Sequence, residues 1–88
     1  MAPEITTWRN QIMMEMIRRG ESWADVIACT LPEDELDRPF DGGYGGANGA
    51  PFTLWTERRV YFPCECDGAE WVASVPRDPC REATEHIG

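Results

Sequence analysis

Lysine is absent from this 88-residue chain, and histidine occurs once, as His86. The missing lysine excludes a P-loop. The glycine-rich stretch 41–51 also lacks the Ser/Thr that such a loop needs, and no strand leads into it. A lone histidine two residues from the last position is a poor place for general-base chemistry, and Ser22 and Ser74 read as structural. No paired acid-base or nucleophilic group stands out, so the expectation is a protein that is not an enzyme. Long apolar runs are missing too. Nothing approaches the ~20 residues of a membrane span. Residues 1–7 lack the basic start and apolar run of a signal peptide, which predicts a cytosolic location. In that compartment the four cysteines are expected as thiols or metal ligands, not disulfides.

What is present is negative charge. Sixteen Asp and Glu face eight Arg, giving a formal net charge of −8. Such a chain repels nucleic acid and anionic membrane and is drawn to basic protein surfaces. Four Trp and an ordinary apolar content argue for one small folded domain over residues 1–88. Its expected parts are a helical region to residue 40, a glycine-rich loop at 41–51, a β-hairpin at 52–75 and a tail at 76–88.

The helical part begins with Trp8, Ile12, Met13, Met16 and Ile17 on one predicted helix face. Thr6 or Thr7 can cap it and Gly20 can stop it. Ser22 and Asp25 form a capping-box pattern that predicts a second helix with Trp23, Val26, Ile27 and Leu31 on its apolar face. Cys29 falls near its buried side. A short third helix is predicted over residues 32–37, ended by Pro39.

Asp67-Gly68 is a two-residue hairpin signal. It sets a register in which Cys66 faces Ala69, Cys64 faces Trp71, Phe62 faces Ala73 and Val60 faces Val75. These side chains share one face, which is therefore expected to be the core face. The other face carries Glu65/Glu70, Pro63/Val72 and Tyr61/Ser74. Pro63 suggests an edge strand. The expected fold class is α+β, with two to three short helices packed on an antiparallel β-hairpin or small sheet. The Trp8/Ile12/Met16, Trp23/Val26/Ile27 and Val60/Phe62/Trp71/Val75 faces should share one core.

Three site chemistries can be weighed. Cys64, Cys66, Cys80 and His86 are the right donors for zinc, but C-x-C followed by C-x5-H is not a common knuckle spacing. The hairpin register points the first two thiols at the expected core, so no metal or other cofactor is expected. A zinc-binding adaptor stands as the alternative reading. The loop at 41–49 has Asn48 and two nearby acids that could hold calcium, but the ligand spacing of a calcium loop is absent. Helix, turn, helix is the outline of a DNA reader, yet the second and third helices carry Asp25, Glu33, Asp34, Glu35 and Asp37, which would meet phosphates head-on. The best candidate is the acidic surface itself: Glu33, Asp34, Glu35, Asp37 and Asp41, with Glu65, Asp67 and Glu70 on the hairpin and Tyr44 as an aromatic anchor in the loop. Such a surface can imitate a phosphate backbone and occupy a nucleic-acid-binding groove on another protein.

The stretch 20–31 (GESWADVIACTL), the stretch 40–46 (FDGGYGG) and the hairpin segments FTLWTERRVYFP and DGAEWV resemble small acidic proteins of phages and prophages in GC-rich bacteria. As a class these are similar to anti-CRISPR and other anti-defence inhibitors. The resemblance implies a phage-encoded inhibitor acting in the host cytosol on a host protein or complex with a basic nucleic-acid-binding surface. It implies no direct nucleic-acid or membrane contact, and transfers no site residue.

Overall fold

The computed structural model describes residues 4–43 and 48–87. The first strand, β1 (Ile5–Thr6), leads into helix α1 (Trp8–Arg19). Thr7 caps the helix, its side chain accepting the Asn10 N–H at 3.1 Å. Arg18 and Arg19 lie in the last turn, where the helix dipole favours cations. Gly20, at φ 71°, closes the helix with its N–H on Ile17 O, and the Glu21 N–H reaches Met16 O at 2.9 Å.

The expected second helix is not there. The Ser22 N–H does donate to Asp25 Oδ2 at 2.8 Å, as a capping box requires. It opens only a 3-10 turn over Trp23–Asp25. Val26 and Ile27 are β-branched and follow at once, and the chain leaves as strand β2 (Val26–Cys29). Helix α2 (Glu33–Leu36) is a single turn inside the predicted 32–37 span, with Leu36 buried. Strand β3 (Phe40–Asp41) pairs antiparallel with β1.

The predicted arm 52–66 is two strands, β4 (Leu54–Thr56) and β5 (Arg59–Cys66), which pair with each other. No Gly or Pro marks the turn between them. Thr56 Oγ1 makes it by accepting the N–H groups of Arg58 (3.2 Å) and Arg59 (3.0 Å). With β6 (Ala69–Pro76) the sheet is antiparallel in the order β2-β4-β5-β6. The β5/β6 register is the one predicted, from Cys66↔Ala69 to Val60↔Val75. Asp67 (φ 51°) and Gly68 (φ 85°) adopt the positive φ that this turn needs. β5 is an interior strand, contrary to the edge expected from Pro63. However, β4 pairs only as far as Tyr61, so among the described residues no strand pairs with Pro63 on the side where it lacks an N–H.

The two faces of the hairpin are inverted relative to expectation. The core consists of Trp8, Ile12, Met16, Leu36, Phe52, Leu54, Tyr61 and Val72, with α1 packed against β6. Fully burying an apolar side chain of this kind stabilises by about 1.5–3 kcal/mol. Tyr61, Val72 and Ser74 therefore point inward. Val60, Phe62, Trp71 and Val75 lie half-buried on the outer face, where Cys64 and Ala73 are shielded by their neighbours. On α1 the predicted face is only partly right. Trp8, Ile12 and Met16 are buried together with Glu15, while Met13 and Ile17 are 44% and 76% exposed. Trp23, Val26, Cys29 and Leu31 pack against the core, but Ile27 sits at an irregularity in β2 and is exposed. Trp8 organises the loop end of the core. Its ring lies 4.7 Å from Phe40 and 5.0 Å from Phe52, and its indole N–H donates to Ala50 O. Gly49 is pressed against it so closely that a Cβ there would lie 2.4 Å from the indole.

Candidate functional site

The acids of α2 do not form a bare patch. Arg9, on the first turn of α1, spans Glu33 (3.1 Å) and Asp37, and its guanidinium stacks 4.6 Å from the Trp23 ring. The bond to Asp37 outweighs burial and holds the Arg9 pKa above its ordinary value. Glu35 lies 3.6 Å from Arg38. Asp34 has no partner among the described residues and is exposed. Exposed pairs of this kind are worth about 0–1 kcal/mol each. Their effect is to reduce the local charge of the cluster.

The remaining acids meet at one end of the molecule, where the end of β3 abuts the hairpin tip through Glu70 N–H···O Gly42 (2.6 Å). Asp41 Oδ1 accepts the N–H groups of Glu4 (3.2 Å) and Gly43 (3.1 Å). Glu65 accepts the Gly68 N–H at 2.9 Å, and Asp67 sits in the turn. Glu70 was expected on the surface beside Glu65, but it is buried. Its carboxylate accepts the N–H groups of Asn48 (2.7 Å) and Gly49 (2.9 Å), which fastens the glycine-rich loop to β6. The Glu65/Glu70 juxtaposition is thus eased by backbone donors on both sides. Tyr44 lies outside the described residues.

The zinc alternative finds no assembled site. Among the described residues no three His, Cys, Asp or Glu side chains converge as a metal-holding group. Cys64 and Cys66 lie on the outer sheet face, contrary to the inward direction expected, while Cys80 and His86 belong to the exposed segment after β6. Burial pushes the Cys64 thiol pKa up, which disfavours the thiolate that a metal would need.

Sequence reasoning missed the polar interior. Glu21, 8% exposed, takes the Tyr61 O–H at 2.6 Å, the Thr56 hydroxyl at 3.0 Å and Arg58 Nε at 3.4 Å. Burial and then the Glu21 carboxylate hold the Tyr61 phenol far above its ordinary range. Under α1, Ser74 Oγ donates to Glu15 Oε2 (2.8 Å) and accepts from Arg59 Nε (2.8 Å), while Arg19 Nε also reaches Glu15 (2.9 Å). Arg59 makes a two-pronged pair with Glu82, both contacts at 2.9 Å. That pair raises the guanidinium pKa and lowers the Glu82 carboxyl below its ordinary value. No described buried side-chain nitrogen or oxygen lacks a partner. Chemically these groups fix packing: the Thr56 and Ser74 hydroxyls are each held between a carboxylate and a donor, and the Tyr61 hydroxyl is held on Glu21. The one sequence signal was Glu15, an acid inside the apolar stripe of α1.

No family model, curated protein or solved structure matches this chain. No helix among the described residues is long and apolar enough to cross a membrane.

Proposed function

We propose that this is a non-enzymatic binding protein whose acidic end contacts a basic, nucleic-acid-binding surface of another protein and so inhibits it. The observation that carries the reading is how most of the opposite charge is spent: seven of the eight Arg are engaged within the chain, Arg81 in the exposed segment after β6 being the exception among the described residues. Arg9, Arg18, Arg19, Arg38, Arg58 and Arg59 each pair with a carboxylate of the chain itself. Arg77 donates to Thr56 O. By contrast, Asp34 on α2, and Asp41, Glu65 and Asp67 at the end built by β3 and the hairpin tip, face no cation among the described residues. The surface potential of that end is therefore negative, and it would steer a basic partner in at a salt-dependent rate. The resemblance to phage anti-defence inhibitors supports the inhibitory half of the proposal, with a host defence complex as the target.

The test uses a triple variant that removes charge but keeps every acceptor: Asp34→Asn, Glu65→Gln and Asp67→Asn. Glu33 and Asp37 are left alone because changing them would also release Arg9. Wild-type and variant chains are immobilised, exposed to bacterial lysate and eluted with heparin. The wild type is expected to release basic nucleic-acid-binding proteins that the variant does not retain. Capture of the same proteins by both chains over a range of salt would refute the proposal.

A further inference from the structure

Beyond β6, Arg77 is still fastened, its N–H on Arg58 O and its Nη1 on Thr56 O, both at 2.9 Å. Residues 78–87 then run as an exposed irregular strap beside a groove between α1 and β6, lined by Glu15, Arg18, Arg19, Trp71 and Ser74. Among the described residues, one side chain ties that strap to the body by polar contacts. Glu82 Oε1 and Oε2 meet Arg59 Nη1 and Nη2 at 2.9 Å each, with Arg19 Nη1 at 3.8 Å.

Arg59 does not depend on the strap for its position. Its Nε donates to Ser74 Oγ at 2.8 Å and its Nη2 to Ser74 O at 3.1 Å, and Ser74 Oγ is in turn anchored on Glu15. Ser74 on strand β6, anchored in turn on Glu15 of helix α1, thus fixes one edge of the guanidinium, and its Nη1/Nη2 edge meets Glu82 in a neighbouring cleft lined by Arg19, Arg58, Pro76 and Pro79; with the strap in place Arg59 is 7% exposed. A buried guanidinium requires an anion. The nearby Glu15 oxygen is already committed to Ser74 and Arg19. The planar fork selects a carboxylate in the two-pronged geometry that Glu82 adopts. The receptor is complete in the body of the protein, and the strap supplies only the ligand.

We propose that Arg59, Arg19 and Ser74 form a carboxylate-recognition site for an acidic peptide segment of a partner, which Glu82 occupies as a tethered pseudo-ligand. The strap competes at the effective concentration of a short tether, on the order of millimolar. It therefore sets a threshold that a partner peptide must exceed. This site lies among the arginines and is separate from the acidic end, so it stands or falls independently of the proposed function.

The probe is a fluorescein-labelled peptide of residues 77–87 added to the full chain and followed by anisotropy. The E82Q chain is expected to bind it about tenfold or more tightly than wild type does, the scale of one charge-assisted pair. The E82Q peptide should lose about as much affinity for that chain, and the E85Q chain should behave as wild type. On wild-type chain at high peptide concentration, amide resonance shifts should centre on Ser74 and Arg59, a readout that does not depend on how well the E82Q chain folds. The proposal is overturned by no binding to the E82Q chain at about 1 mM peptide, by equal binding of the two peptides, by an E85Q chain that gains as much as E82Q, or by shifts centred elsewhere.

Discussion

Removing one oxygen atom, in Tyr61→Phe, tests the polar interior directly. Tyr61 is fully buried and its O–H donates to Glu21 Oε1 at 2.6 Å. Glu21 would keep Thr56 at 3.0 Å and Arg58 at 3.4 Å, but the vacated lone pair would lose its donor in a side chain only 2% exposed. A hydrogen bond to a charged group is worth about 1.5–3 kcal/mol. In a domain of this size that lowers the melting temperature by roughly 10 °C, at about 4–8 °C per kcal/mol. The pH dependence adds a second constraint. The phenol pKa is raised in the folded state, so its contribution is fully present below the unfolded value near 10 and is lost as pH rises beyond it. The stability gap between wild type and Tyr61→Phe should therefore be flat from pH 6 to about 9 and should close at higher pH. Thermal unfolding by circular dichroism across that range measures both. A shift under about 2 °C at pH 7, or a gap that widens in alkali, would refute the reasoning.

Three further outcomes follow from the inverted faces and the strap. Leu54→Ala, in the core, should cost about 2–5 kcal/mol in urea unfolding, whereas Phe62→Ala, on the outer face, should cost clearly less than the 3–5 kcal/mol typical of a core Phe. If Phe62→Ala is the costlier of the two, the face assignment is wrong. The Glu82 carboxyl is held below its ordinary value, chiefly by Arg59, while Arg19 from α1 reinforces it. Its contribution is therefore present above about pH 4.5 and lost as pH falls further, so wild type and Glu82→Gln should differ in melting temperature at pH 7 and converge near pH 3.

Local signals were legible in the sequence and long-range ones were not. Thr7 and Gly20 bound α1 because a cap satisfies groups within one turn. Asp67-Gly68 fixed the hairpin register for the same reason. The capping box at Ser22 was read as the start of a helix and opens only a 3-10 turn, because it specifies a start and says nothing of what pairs with Val26–Cys29. The face inversion has a different origin. Alternation states which residues share a face but not which face meets the helix. Here the more polar face was chosen because its groups find partners far along the chain: Tyr61 and Glu21 are 40 positions apart, Ser74 and Glu15 are 59. Of the candidate site, Asp34, Asp41, Glu65 and Asp67 were legible as charge. The burial of Glu70 and the capture of Glu33 and Asp37 by Arg9 were not.

Glu70 has a consequence for how this chain can change. Its N–H holds Gly42 and its carboxylate holds Asn48 and Gly49, so one residue clasps both ends of the segment between them. Gly42 and Gly49 are thus held to strand β6 by the same side chain and backbone, so the two positions cannot part from the hairpin one at a time. A single substitution at Glu70 would withdraw the carboxylate from Asn48 and Gly49 and leave Gly42 as the one remaining tie.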